Sequence, residues 1–185
     1  MTAVRLKQAM QRLRVPLGFV LVPVFLFFAE PSWSTVAAGA ALAAAGIAVR
    51  AWASGHLRKM AELTTSGPYA YTRNPLYFGT FLMVAGAAVA AGRWWLVLLV
   101  AGLFLAVYGP VMLAEVDTMR ALFPDAYDRW AGEVPLFVPR VLPARSADRK
   151  NRFDARLYLR YREYRAALGL AAVLAVLVAK LVMRG

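Results

Sequence analysis

Residues 66–95 read SGPYAYTRNPLYFGTFLMVAGAAVAAGRWW. A turn-forming start, Ser66-Gly67-Pro68, leads to Arg73, Asn74 and Pro75, and residues 74–92 then carry no charge. Two tryptophans follow directly behind Arg93. At 1.5 Å per residue a helix needs about 20 apolar residues to cross the hydrocarbon layer, and tryptophan concentrates at the water–lipid boundary. The stretch therefore reads as a spanning helix that starts at Pro75, where a missing N–H costs nothing. It also raises a question of function, because a guanidinium and a carboxamide stand at the mouth of a segment suited to oil.

The rest of the chain agrees with this reading. Its 185 residues suit one domain, taken here as residues 1–185; 61% are hydrophobic, 17% are charged and mean hydropathy is +0.55. Soluble domains are about half apolar and a quarter charged. Uncharged runs lie at 15–29, 31–49, 74–92, 94–114 and 166–179. The middle three are long enough to span, whereas the first and last need help from flanking basic stems such as Lys180. The expected fold is all-α, an integral-membrane bundle of about five transmembrane helices with a cytoplasmic C-terminal region and an interfacial helix.

The net charge of +12 is explained by topology. Four basic residues precede the first run, four lie at 50–73 and eleven at 115–165, while Arg93, Lys180 and Arg184 fall on the other side. The positive-inside rule then puts the N-terminus and residues 50–75 and 115–165 in the cytoplasm, both segments being polar enough to be ordered outside the bilayer. A nucleic-acid binder would instead carry a basic patch on a soluble face, so no nucleic-acid partner is expected. Cysteine is absent and His56 is the single histidine, which excludes thiolate chemistry and multi-histidine metal sites. No metal is expected. Glu30-Pro31 follow the first run without a small-residue cleavage site, so a removed signal peptide is not expected.

The linkers add detail. RLKQAMQRLR, residues 5–14, reads as a basic amphipathic helix at the membrane surface. EPSW and GRWW are tight connections between neighbouring spans. The second run is dominated by alanine and glycine, which let helices approach closely in lipid and place it at the bundle centre. Four prolines between 124 and 143 predict a partly extended region. From Ser146, a plausible N-cap, helical spacing of Phe153, Leu157, Tyr161, Tyr164 and Leu168 predicts an interfacial helix feeding the last span, over about 146–183.

Two groups of residues could carry chemistry. The start of the third span offers free backbone N–H groups and a partial positive charge, Arg73 adds five donors, and Tyr69, Tyr71 and Tyr77 flank it. That is an anion-recognising corner, although the same residues would also serve as interfacial anchors. Glu115 and Asp117 lie at the far end of the fourth span. Because the third and fourth spans form a hairpin, Glu115 and Arg73 should converge. A carboxylate at a helix C-terminus is disfavoured by the macrodipole, so Glu115 needs a partner, either Arg73 itself or a cationic or polyhydroxyl ligand. A lone histidine in a basic segment reads as structural rather than as a base.

SGPYAYTRNPLYFGTFL, Glu115 and LFPDAYDRWAGEVPLFVP together resemble the isoprenylcysteine carboxyl methyltransferase and phospholipid methyltransferase family over about residues 50–140. Members are small integral-membrane enzymes that use S-adenosylmethionine. Here Asn74 replaces the usual histidine, Val116 the second carboxylate of a Glu-Glu pair, Pro124 a glycine and Trp130 a tyrosine. The resemblance implies a cofactor site built from Gly67, Pro68, Tyr69, Tyr71, Arg73, Asn74, Pro75, Tyr77, Gly79 and Glu115, with Arg73 and Glu115 as the catalytic pair. It also implies direct displacement at a methyl carbon and a lipid or lipidated acceptor entering from the bilayer, such as an isoprenylcysteine carboxylate or a phospholipid head group. Asn74 cannot act as an acid or base, which suits an acceptor that is already an anion. NADPH-dependent sterol or enoyl reductases resemble the same half of the chain, but Leu76 stands at the position of their asparagine. A non-enzymatic helical bundle is the remaining alternative.

Overall fold

The computed structural model describes residues 22–58, 62–145 and 152–184, and among them every regular element is helical. Residues 22–28 are helical and are followed by α1 (Trp33–His56), a 3₁₀ turn (Gly67–Ala70), α2 (Pro75–Ala90), α3 (Trp94–Leu122), α4 (Pro124–Glu133), α5 (Ala155–Arg160) and α6 (Tyr164–Val182). By length and composition α1, α3 and α6 can each cross a membrane, whereas α2 has only 16 residues. The first expected span is described only from residue 22, and the basic helix expected at 5–14 lies outside the described residues.

The ends of these helices follow local chemistry. Ser32 caps α1, its hydroxyl accepting from the Thr35 N–H while the Thr35 hydroxyl accepts from the Ser32 N–H; this reciprocal pair satisfies N–H groups that a helix start leaves open. Pro75 opens α2, and Gly92, at φ 76°, ends the turn behind it. A side chain on Gly92 would overlap the Glu30 carbonyl, because the Glu30 N–H donates to the Ala91 carbonyl at 2.7 Å and its carboxylate pairs with Arg93. Lys180 donates to the Leu26 and Phe27 carbonyls at 2.6 and 2.9 Å. Both tight connections and the end of α6 thus meet at one end of the bundle. The opposite end holds residues 66–74, α4 and the proline-rich loop.

The seam between α1 and α2 is built from small residues. A Cβ on Gly46 would lie 2.6 Å from the Gly79 carbonyl oxygen, and one on Gly86 would lie 2.5 Å from that of Gly39. Ala43 and Met83 fill the space between these two contacts, both buried. Backbones this close gain dispersion contacts that lipid cannot match. Where α2 meets α3, aromatic rings separate the backbones instead: Phe81–Phe104 and Tyr77–Tyr108 centroids are each 5.3 Å apart.

Two expectations are corrected. The long interfacial helix is in two pieces: Asp154 caps α5 by accepting from the Arg156 N–H at 2.8 Å, while the expected cap Ser146 lies outside the described residues. The chain breaks again at Arg162, the one described non-glycine residue with positive φ, 54°. The apolar stripe also has a partner. Phe153 covers Gly55 and the His56 ring, and the Tyr161 hydroxyl donates to the Leu57 carbonyl at 3.2 Å, so α5 packs on the end of α1.

Candidate active site

The segment 69–77, α3 and α4 enclose a cavity of about 630 Å³, a size typical of small-ligand pockets. Tyr108, Met112, Glu115, Val116 and Met119 line it from α3. Their spacing of three, four and seven residues puts them on one helix face. Tyr127 and Trp130 contribute from α4 and Arg50 from α1.

Arg73 is fixed on several sides. Its N–H donates to the Pro135 carbonyl at 2.9 Å, its Nη1 to the Tyr127 hydroxyl at 3.1 Å, and its guanidinium lies 5.9 Å from that ring's centroid. Its Nε is buried without a hydrogen-bond partner. Leaving a buried donor unmade costs about 1–3 kcal/mol, and more when it is charged. Glu115 accepts from the Tyr77 hydroxyl at 3.4 Å. Arg73 and Glu115 share the cavity without pairing to each other; the ion pairs among the described residues are Arg50–Glu163, Arg58–Glu62, Arg93–Glu30 and Arg120–Asp128.

The remaining expected residues divide into two groups. Tyr69, Asn74, Pro75 and Tyr77 line the cavity. Burial, with the nearby Glu115 charge adding to it, pushes the Tyr69 phenol well above its ordinary pKa, so Tyr69 stays a neutral hydroxyl. Asn74 does not use its side chain to cap α2; its Nδ2 donates to the Leu136 carbonyl at 2.9 Å. Gly67, Pro68, Tyr71 and Gly79 are not on the wall. Gly67, at φ 57°, lies under the His56 ring, where a Cβ would come within 2.7 Å of it. Pro68 starts the 3₁₀ turn, Tyr71 packs on Trp52 at 5.9 Å, and Gly79 faces Arg50 and Gly46. Asp117 is exposed and off the cavity wall, so it does not take over the place of Val116. His56 is buried and its Nδ1 bonds the Trp52 carbonyl at 2.9 Å, which fixes the ring as a packing element.

Sequence reasoning passed over Arg50, which it counted only as a topological charge. Arg50 lines the cavity and donates to Glu163 through Nε (2.9 Å) and Nη2 (2.6 Å), and through Nη1 to the Leu76 carbonyl (3.3 Å) and the Thr80 hydroxyl. Its partner is 113 positions away, beyond any local signal. Tyr127 and Trp130 lie in LFPDAYDRW, where no local pattern marks their role. Trp130 Nε1 donates to the Tyr69 carbonyl at 3.1 Å, which holds the 3₁₀ turn against α4.

The phospholipid methyltransferase family model matches residues 33–126, just over half of the chain, and takes in α1, α2, α3 and the whole Arg73–Glu115 corner. The chain belongs to the phospholipid methyltransferase family. Among curated proteins the nickel-cobalt-cadmium resistance protein NccN of Alcaligenes xylosoxydans xylosoxydans is similar, 34% identical over 89 residues. That stretch is 48% of this chain and 41% of NccN, so the chain spans well under half of that relative's length. No solved structure matches. Among the described residues three helices of membrane-spanning length accompany this family match. The family match ends at Ala126, so Tyr127 and Trp130 complete the wall from outside it.

Proposed function

We propose that the protein transfers a methyl group from S-adenosylmethionine to a lipid or lipidated acceptor, an isoprenylcysteine-like carboxylate or a phospholipid head group. Supporting this is the cavity in which Arg73 and Glu115 face one space unpaired, with Arg73 Nε buried and unsatisfied. The donor set fits S-adenosylmethionine, which bears a carboxylate, an ammonium, a ribose and a sulfonium, the last supplying the electrophilic methyl carbon. Glu115 accepts hydrogen bonds from hydroxyl or ammonium groups, and Tyr77 and Tyr108 present ring faces suited to a cation, about 0.5–2 kcal/mol each. Arg73 holds an anionic group by charge-assisted hydrogen bonds, aimed by Tyr127 and the Pro135 carbonyl. Leu76, Met112 and Val116 give the same space an apolar wall, and alignment rather than acid–base assistance is the residues' main contribution. In this reading the chain makes five spans, with its N-terminus and the cavity on the cytoplasmic side.

Incubation of the purified protein with methyl-labelled S-adenosylmethionine and total lipid extract tests the proposal. Label is expected in an organic-extractable product. Absence of transfer to any lipid, together with saturable NADPH binding, would overturn it in favour of the reductase reading.

A further inference from the structure

The proline-rich segment expected to lie in the cytoplasm has a different setting in the fold. Phe137 packs on Phe78 and Phe81 of α2, both at 5.8 Å, and on Phe104 of α3 at 6.0 Å. Phe81 is six residues beyond Pro75, so this contact lies about 9 Å down the helix from its start. With 16 residues, α2 is about 24 Å long, short of the roughly 30 Å hydrocarbon layer. A ring seated two turns below Pro75 is therefore at hydrocarbon depth, and the chain around it emerges from there.

Irregular backbone at that depth is tolerated where protein satisfies its polar groups, and the base of this loop is held in that way. The Arg73 N–H donates to the Pro135 carbonyl, Asn74 Nδ2 to that of Leu136 and the Thr72 hydroxyl to that of Phe137, at 2.9, 2.9 and 2.8 Å. In return the Arg140 and Ala144 N–H groups donate to the Tyr71 and Ala70 carbonyls at 3.0 and 2.9 Å. Pro135, Pro139 and Pro143 have no N–H to satisfy. The side chains left facing outward are apolar: Val138, Val141 and Leu142 are 68%, 93% and 70% exposed. Three such residues on a pinned loop would be costly in water, but lipid acyl chains suit them. Arg140, whose Nη1 donates to the Glu133 carbonyl at 2.9 Å, and Arg145 add positive charge to the same segment, which suits anionic headgroups.

We infer that residues 134–144 form a re-entrant loop seated in the leaflet, with Val138, Val141 and Leu142 against acyl chains. The occupant of this face is the bilayer in which the protein itself sits. The inference is independent of the methyl-transfer proposal.

The chain has no cysteine, so Val138→Cys, Val141→Cys and Leu142→Cys each accept one fluorophore in the full-length protein reconstituted in phosphatidylcholine–phosphatidylglycerol vesicles. Leu98→Cys on α3, at a position 63% exposed, is the lipid-facing reference, and the fluorophore on free cysteine is the water reference. Phospholipid carrying a nitroxide high on its acyl chain is expected to quench the loop probes as strongly as Leu98→Cys, with iodide quenching several-fold below the water reference. Iodide quenching close to the water reference would place the loop in water and overturn the inference. Shielding from both quenchers would mean that protein, such as a second copy of the chain, covers the face, and would overturn it equally. Three independent positions keep the test decisive if one variant fails to fold.

Discussion

The seam between α1 and α2 and the seam between α2 and α3 use opposite residue types. In the first, Gly39 and Gly46 meet Gly86 and Gly79 so closely that no Cβ fits. In the second, Tyr77, Phe81, Phe104 and Tyr108 keep the backbones apart, and the cavity lies beside the tyrosine end of that seam. Gly102 and Gly109 of α3 show the same contrast, since a Cβ on either would meet nothing within 4 Å. Small residues fix α2 against α1, and bulky rings then hold α3 away, leaving a space that backbone contact would have closed. Rigidity and the site are thus made on opposite faces of one short helix.

Gly46→Leu attacks the closed seam and has the largest expected effect. Overpacking costs typically 1–3 kcal/mol where a neighbour can yield, but here the clash is with the Gly79 carbonyl and the Met83 backbone, so loss of the folded bundle in detergent is expected. A thermal midpoint unchanged from the parent would show that the seam is not the rigid element. Glu163→Gln comes next. It removes the partner of a largely buried Arg50, whose side chain also holds the first turns of α2 through Leu76 and Thr80. A loss of about 1–3 kcal/mol is expected, measured by chemical unfolding. Tyr77→Phe removes one long hydrogen bond to Glu115 and should weaken ligand binding by less than about 1 kcal/mol, leaving the thermal midpoint in place. The smallest effect belongs to Gly102→Ala, in the open region, where up to about 1 kcal/mol of stabilisation is expected from helix propensity alone; destabilisation there would mean that the two seams are less different than their contacts indicate.

How far the sequence revealed these features depends on the range of the interactions involved. The helical class and the places of Arg73, Pro75 and Glu115 follow from charge-free runs, proline chemistry and a hairpin, all of them local. The uncharged run ended at Ala114, yet α3 continues to Leu122; charge marks where a helix leaves lipid, not where it stops. The small residues of α1 announced a close partner without naming Gly79 and Gly86. The Arg50–Glu163 pair and the seat of Phe137 join distant positions, and the left-handed turn at Arg162 carries no glycine to signal it. Asn74 appeared as a cap and a departure from a family histidine, while its side chain serves a loop more than sixty positions downstream.

The central claim is that Arg73 and Glu115 together form one ligand site, and equilibrium binding of labelled S-adenosylhomocysteine to the parent, Arg73→Ala and Glu115→Ala proteins in nanodiscs tests it most directly. One saturable site is expected in the parent, weakened on the order of 100-fold in each variant while the fold is retained, the scale seen when a preorganised charge partner is removed. Equal binding by all three proteins, or none by the folded parent, would contradict the account.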